Sequence, residues 1–137
     1  MKTLGVDFKG SDVILVMIED GEFRSVNKIS IVDDSTQKDM RGFYVSIIEF
    51  AEWNGPDEIV IIDRARKGKY AGGVTSFKLE AVIQVALSNV RIIHGATVRA
   101  FVAKNPSDKE IYSYAMKAFN VARCGYHQKK NQLSLEF

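Results

Sequence analysis

The sequence predicts one α/β domain built on a five-stranded mixed sheet in the order 3-2-1-4-5, with helices on both faces. Three observations lead there. Three strand-like runs joined by short turn sequences come before any helical period. Helical and strand periods alternate from there on. The run at Ile59-Val60-Ile61-Ile62 is apolar at every position, as in a central strand covered on both sides.

Strand 1 closes at Gly5-Val6-Asp7-Phe8. The two-residue period puts Leu4, Val6 and Phe8 on one face and Asp7 on the other. Lys9-Gly10-Ser11-Asp12 reads as a turn, Val13 to Glu19 as strand 2, and Asp20-Gly21 as a hairpin turn because both residues tolerate positive φ. Strand 3 runs roughly from Phe23 to Val32. A first helix is expected with caps at Asp34 and Ser35, an apolar stripe of Met40, Phe43, Tyr44, Ile47, Ile48 and Ala51, and a stop at Asn54-Gly55-Pro56. Strand 4 spans Glu58 to Asp63. Phe77, Leu79, Val82, Ile83 and Ala86 mark a second helix, Val90 to His94 a fifth strand, and Ala96 to Lys104 a third helix. A fourth helix is expected to start at Ser107, because Ser107 and Glu110 form a capping-box pair. The chain then divides into a domain over 1–124 and a tail over 125–137, where helical period fades after Gly125. Right-handed crossovers place strand 4 beside strand 1 and strand 5 outside it.

Composition narrows the function classes. A chain of 137 residues, 46% hydrophobic and 26% charged, is that of an ordinary globular domain. Nineteen basic against 17 acidic residues leave a net charge of +2, so affinity for a polyanion has to come from a local patch. Cys124 is the single cysteine, which excludes an internal disulfide and a cysteine-rich zinc site. The longest apolar run, Val13 to Ile18, is far too short to span a membrane, and Asp7 interrupts the first apolar stretch before a signal sequence can form. A cytoplasmic address without membrane contact is therefore the expectation; the sequence does not speak to oligomeric state.

Strands 1 and 4 meet where the strand order reverses, and open α/β sheets bind ligands at that point, outside the carboxyl ends of the strands. Asp7 and Asp63 each lie near such an end. Neighbouring strands are about 4.8 Å apart, so two carboxylates on one face could share a hard cation such as Mg²⁺. Paired ions about 4 Å apart would support displacement at a phosphodiester. Aspartate is also a common turn residue at strand ends, a plainer reading of both positions.

These residues carry a resemblance. Leu4-Gly5-Val6-Asp7, the Lys-Gly-Ser turn, the hairpin and the acid closing the Ile-Val-Ile-Ile strand resemble the RuvC-like branch of ribonuclease H-like proteins. The stretch from Asp63 through Arg-Ala-Arg-Lys-Gly-Lys-Tyr to Ala81 is similar to a small bacterial family of that branch without an assigned activity. The resemblance covers Met1 to about Phe119. It implies a Mg²⁺- or Mn²⁺-dependent nuclease of DNA repair or recombination, with Asp7 and Asp63 as catalytic metal ligands. Active members take one or two further aspartates from a late helix, whereas this chain has none after Phe119 and its first acid beyond Glu110 is Glu136. Asp108 is the candidate third ligand, and Glu80 reads as a solvated helix position. With this incomplete set, a catalytically inactive binding or regulatory module of the same fold is the alternative.

Two further segments suggest partners. Between Arg64 and Leu79 stand Arg64, Arg66, Lys67, Lys69 and Lys78 with no acid, interleaved with Gly68, Gly72 and Gly73. Such a loop can offer backbone amides and cations to the phosphates of DNA or RNA, with Tyr70 available to stack on a base. A solvated loop is the plainer account. The end of the chain, with Gln132, Leu133, Leu135 and Phe137, resembles the short motif by which bacterial repair proteins dock as an extended peptide on the sliding clamp.

Overall fold

The computed structural model describes residues 1–69 and 71–135. Five strands form one sheet in the order 3-2-1-4-5: β1 (Lys2–Lys9), β2 (Asp12–Glu19), β3 (Glu22–Ser30), β4 (Glu58–Ile62) and β5 (Val90–Ile93). β1, β2 and β3 are antiparallel neighbours, and β4 and β5 continue the sheet in parallel with β1. The Asp20-Gly21 turn has positive φ at both residues (51° and 87°), the backbone a tight two-residue hairpin requires.

Helices α1 (Gln37–Asn54) and α2 (Val74–Ala86) cover one face, where Phe43, Ile47, Leu79 and Ile83 meet Leu4, Val6, Leu15 and Ile61. Thr36 caps α1 by accepting the Asp39 N–H, while Asp33 accepts from Ser35 in the turn before it, so the start lies just past the expected caps. Gly55 ends α1 at φ 59° with its N–H on the Ala51 carbonyl. Helices α3 (Gly95–Lys104) and α4 (Met116–Leu135) cover the other face.

The α4 face departs most from the sequence expectation. Residues 106–112 are not helical; the Ser107 hydroxyl accepts the Lys109 N–H in a local turn instead of capping a helix. Ile111 packs on the cluster formed by Ile14, Val16, Ile18 and Phe119, and Ala115 is fully buried in a short 3₁₀ turn. That burial outweighs a local capping preference worth about 1 kcal/mol. The helix then runs straight through Gly125, so the expected tail is helical as far as Leu135. Gly125 is there for contact and not for termination: a Cβ would lie 2.7 Å from Val60 Cγ1. At the same interface a Cβ on Gly5 would lie 2.0 Å from the Ala118 carbonyl oxygen and 2.8 Å from Ala122 Cβ. Ala118, Ala122 and Gly125, at helical spacing, let α4 lie unusually close to β1 and β4. Arg91 of β5 fastens it further by donating to Gly125 O, Gln128 Oε1 and Glu58 Oε1. No helix among the described residues is long and apolar enough to cross a membrane.

Candidate functional site

The carboxyl ends of β1 and β4 form the edge where both candidate acids stand. Asp7 shares with Gly5 the α4 face of β1, and only 3% of it is exposed. Its Oδ2 is buried without a hydrogen-bond partner. Val6 is level with Ile61 in the β1–β4 register, so Asp7 is level with Ile62 and Asp63 falls one residue further along. Asp63 has left the strand. Its N–H donates to Ile93 O, its Oδ1 accepts the Arg64 N–H (3.0 Å), and its Oδ2 lies 3.6 Å from His94 Nδ1. The two acids are therefore neighbours by strand but staggered in register, with different partners.

Burial pushes the Asp7 carboxyl above the usual carboxylate range, against the Phe8 N–H and the charges of Lys9, Lys117 and Arg64, which favour ionisation. A carboxyl with a raised value in the folded state binds its proton more tightly than in the unfolded chain. It therefore adds stability as the pH falls through the raised value toward 3.8, and withdraws it at neutral pH. Asp7→Asn is accordingly expected to stabilise the protein at pH 7 by about 1 kcal/mol, or roughly 3–5 °C in Tm. Thermal unfolding at pH 7 and pH 4 checks this: the gap between variant and wild type should narrow at the lower pH, and an unchanged gap refutes the assignment.

The basic loop is divided by the fold. Arg64 turns inward, with its guanidinium 4.4 Å from the Phe8 ring centre and 4.6 Å from that of Phe77. It donates to Ile62 O and to Glu80 Oε1, the latter at 2.9 Å. Glu80 is thus a buried ion-pair partner and not a solvated position, and Arg64 is withdrawn from the surface the sequence assigned it to. Lys78 is tied to the segment before α1, donating to Asp34 O, while the Thr75 hydroxyl donates to Asp34 Oδ2. Arg66, Lys67 and Lys69 remain exposed beyond Asp63. Tyr70 lies outside the described residues. The loop is folded back on itself: Gly72 N–H donates to Ala65 O, Ala71 N–H to Gly68 O, and Gly68 takes φ 90°.

Asp108 is exposed in the segment before α4 and does not complete a metal set: among the described residues no three His, Cys, Asp or Glu side chains come close enough to hold an ion. Apart from Asp63 and Arg64, the residues lining the adjoining cleft were not anticipated. A cleft of about 570 Å³ opens between β4, α3 and α4, lined by Ile62, Asp63, Val98, Arg99, Lys117 and Asn120 among others. Lys117 sits in the first turn of α4. A helix start placed at Ser107 hides it, because which residue of α4 meets this edge depends on where α4 begins. Gln132 and Leu133 lie in the last turns of α4, so they are not the extended peptide expected for clamp docking; nothing is described of the Leu135 side chain, and Phe137 lies outside the described residues.

The orphaned Asp7 oxygen suits a cation, but the rest of the set does not fit a two-ion centre. Asp63 Oδ1 already accepts the Arg64 N–H, no third acid arrives among the described residues, and lysine charge bears on Asp7. The fold is of the ribonuclease H-like type. RuvC of Thermus thermophilus superposes with a TM-score of 0.70 at 10% identity, covering 96% of this chain and 97% of that one. T. thermophilus RuvC in complex with a Holliday junction substrate gives 0.69 at 10% identity, over 95% and 96%. At that identity the likeness is one of fold. No curated protein sequence matches the chain. The chain belongs to the DUF3010 family, described as a protein of unknown function, whose family model matches residues 1–126.

Proposed function

We propose that this protein binds nucleic acid at the carboxyl edge of its ribonuclease H-like sheet and does not hydrolyse it. The observation that carries this reading is the composition of the edge: exposed Arg66 and Lys67 follow Asp63, Arg99 and Lys117 line the adjoining cleft, and among the described residues no third carboxylate joins Asp7 and Asp63. Cations in that array suit phosphodiester oxygens, and contacts of this kind position a protein without reading sequence. The Holliday junction held by the structural neighbour on the same fold makes branched DNA the first ligand to try. The inactive-module alternative is thereby preferred to a Mg²⁺- or Mn²⁺-dependent nuclease with Asp7 and Asp63 as catalytic ligands, for which two staggered acids are too few. Docking of Gln132, Leu133, Leu135 and Phe137 on a sliding clamp would first require the end of α4 to unwind, and this reading does not depend on it.

Fluorescence anisotropy with labelled four-way junction, duplex and single-stranded DNA, in EDTA and across a salt series, tests the reading. Each phosphate contact contributes roughly 0.9 to the slope of log affinity against log salt for duplex DNA. Replacing Arg66 and Lys67 together by alanine is expected to lower that slope by about 2. Equal slopes for variant and wild type, or no binding at low salt, would refute it.

A further inference from the structure

In the RuvC-like pattern a late helix brings further acids to the two strand-borne ones. Here the late helix is α4, and its first turn brings Lys117. The Lys117 charge bears on Asp7, and its side chain lines the cleft that also holds Asp63. The edge thus carries a lysine charge beside its strand-borne carboxylates. We infer that the Lys117 ammonium takes the place of a divalent ion at this edge, making it a metal-independent phosphate site.

Several features of the cleft support this. Lys117 and Arg99 both line it and are exposed, and among the described residues the side chains of Arg99, Lys117 and Asn120 make no hydrogen bond or ion pair. Their donors are available to an anion. The floor is apolar, with Ile62, Val98 and Val102 displacing water from beneath the charges and so strengthening their effect. Asp63, the one carboxylate lining the cleft among the described residues, has Oδ1 engaged by the Arg64 N–H and Oδ2 turned toward His94. Near Asp7 the charges of Lys9 and Lys117 oppose a divalent cation and favour a phosphate, while Arg64 is already paired with Glu80. A compact ammonium is also a point donor that can serve one phosphate oxygen and one carboxylate oxygen at once. The inference rests on the binding reading above only for what carries the phosphate.

The test uses two probes on the full chain, Mn²⁺ by electron paramagnetic resonance and inorganic phosphate by amide chemical shifts in EDTA. Wild type is expected to show no stoichiometric Mn²⁺ site and to shift the amides of Gly95, Arg99 and Lys117 on addition of phosphate. K117M is expected to bind phosphate at least tenfold more weakly. K117D, which returns an acid to the first turn of α4, is expected to gain a Mn²⁺ site at least tenfold tighter than any in wild type, and to lose it when D7N is added. Circular dichroism and thermal unfolding establish that each variant is folded. A Mn²⁺ site in wild type that D7N abolishes, or phosphate binding by K117M equal to wild type, overturns the inference. Neither readout involves DNA, so loss of DNA binding alone would defeat the functional reading and leave this one standing.

Discussion

Replacing Gly5 by alanine is expected to destabilise the protein by about 3 kcal/mol or more, and to bring much of it to the edge of unfolding at physiological temperature. The new Cβ would lie 2.0 Å from the Ala118 carbonyl oxygen, a backbone atom held within α4, and 2.8 Å from Ala122 Cβ. No side-chain rotation relieves a clash with backbone. Either β1 leaves its register between β2 and β4, or α4 lifts from the sheet along Ala118, Ala122 and Gly125. Lifting the helix uncouples Ala118, Phe119 and Ala122 from Ile14, Val16 and Ile18, so apolar burial is lost along with the close contact. Urea unfolding followed by circular dichroism measures the effect. A loss below about 1 kcal/mol would mean that α4 adjusts freely and that its approach to the sheet is not a constraint.

Glu80→Ala is expected to cost about 3–5 kcal/mol, since it leaves a buried guanidinium without its counter-charge. Arg64 and Glu80 side chains are 12% and 6% exposed, and Arg64 already has Nε and Nη2 buried without partners. After the substitution its close partners among the described residues would be the Ile62 carbonyl and the Phe8 and Phe77 rings, with the Asp7 carboxyl acting on it less directly. Glu80→Gln keeps an acceptor and should lose about half as much. The pair itself need not be strongly net stabilising, because desolvating both charges offsets much of their attraction. Joint replacement by methionine, Arg64→Met with Glu80→Met, should therefore recover most of what Glu80→Ala loses. Guanidinium denaturation of the three variants decides this: equal losses for Glu80→Ala and the double variant would show that packing, and not an uncompensated charge, sets the cost.

The sheet was legible in the sequence because its signals are local and mutually consistent. Asp20-Gly21 specifies a hairpin, Ile59 to Ile62 is apolar on both faces, and crossover handedness then leaves one place for each parallel strand. The acids at the ends of β1 and β4 were legible for the same reason, although the one-residue stagger between them was not: where a chain leaves its strand depends on backbone bonds such as that from Asp63 to Ile93. The α4 face was misread for a physical cause. Gly125 looks like a helix stop until Val60 is seen against it, and Ser107 looks like a helix start until Ile111 is seen in the core. Arg64 and Glu80 each look like surface residues, and only the fold, which sets them beside Phe8 and Phe77, makes them a pair. Contacts between distant segments override local preference at all these positions.

The placement of α4 also has a consequence for the order in which the protein is made. Strands β1 to β3 pair with their immediate neighbours in the chain and can form as soon as they are synthesised. Most of the residues that cover Ile14, Val16, Ile18 and Val60 belong to the helix over Met116–Leu135, the last element of the described chain. Until that segment is free to fold back, a nascent chain carries a finished sheet with much of one greasy side bare beyond what α3 covers, the kind of species that sticks to its own kind or calls for a chaperone.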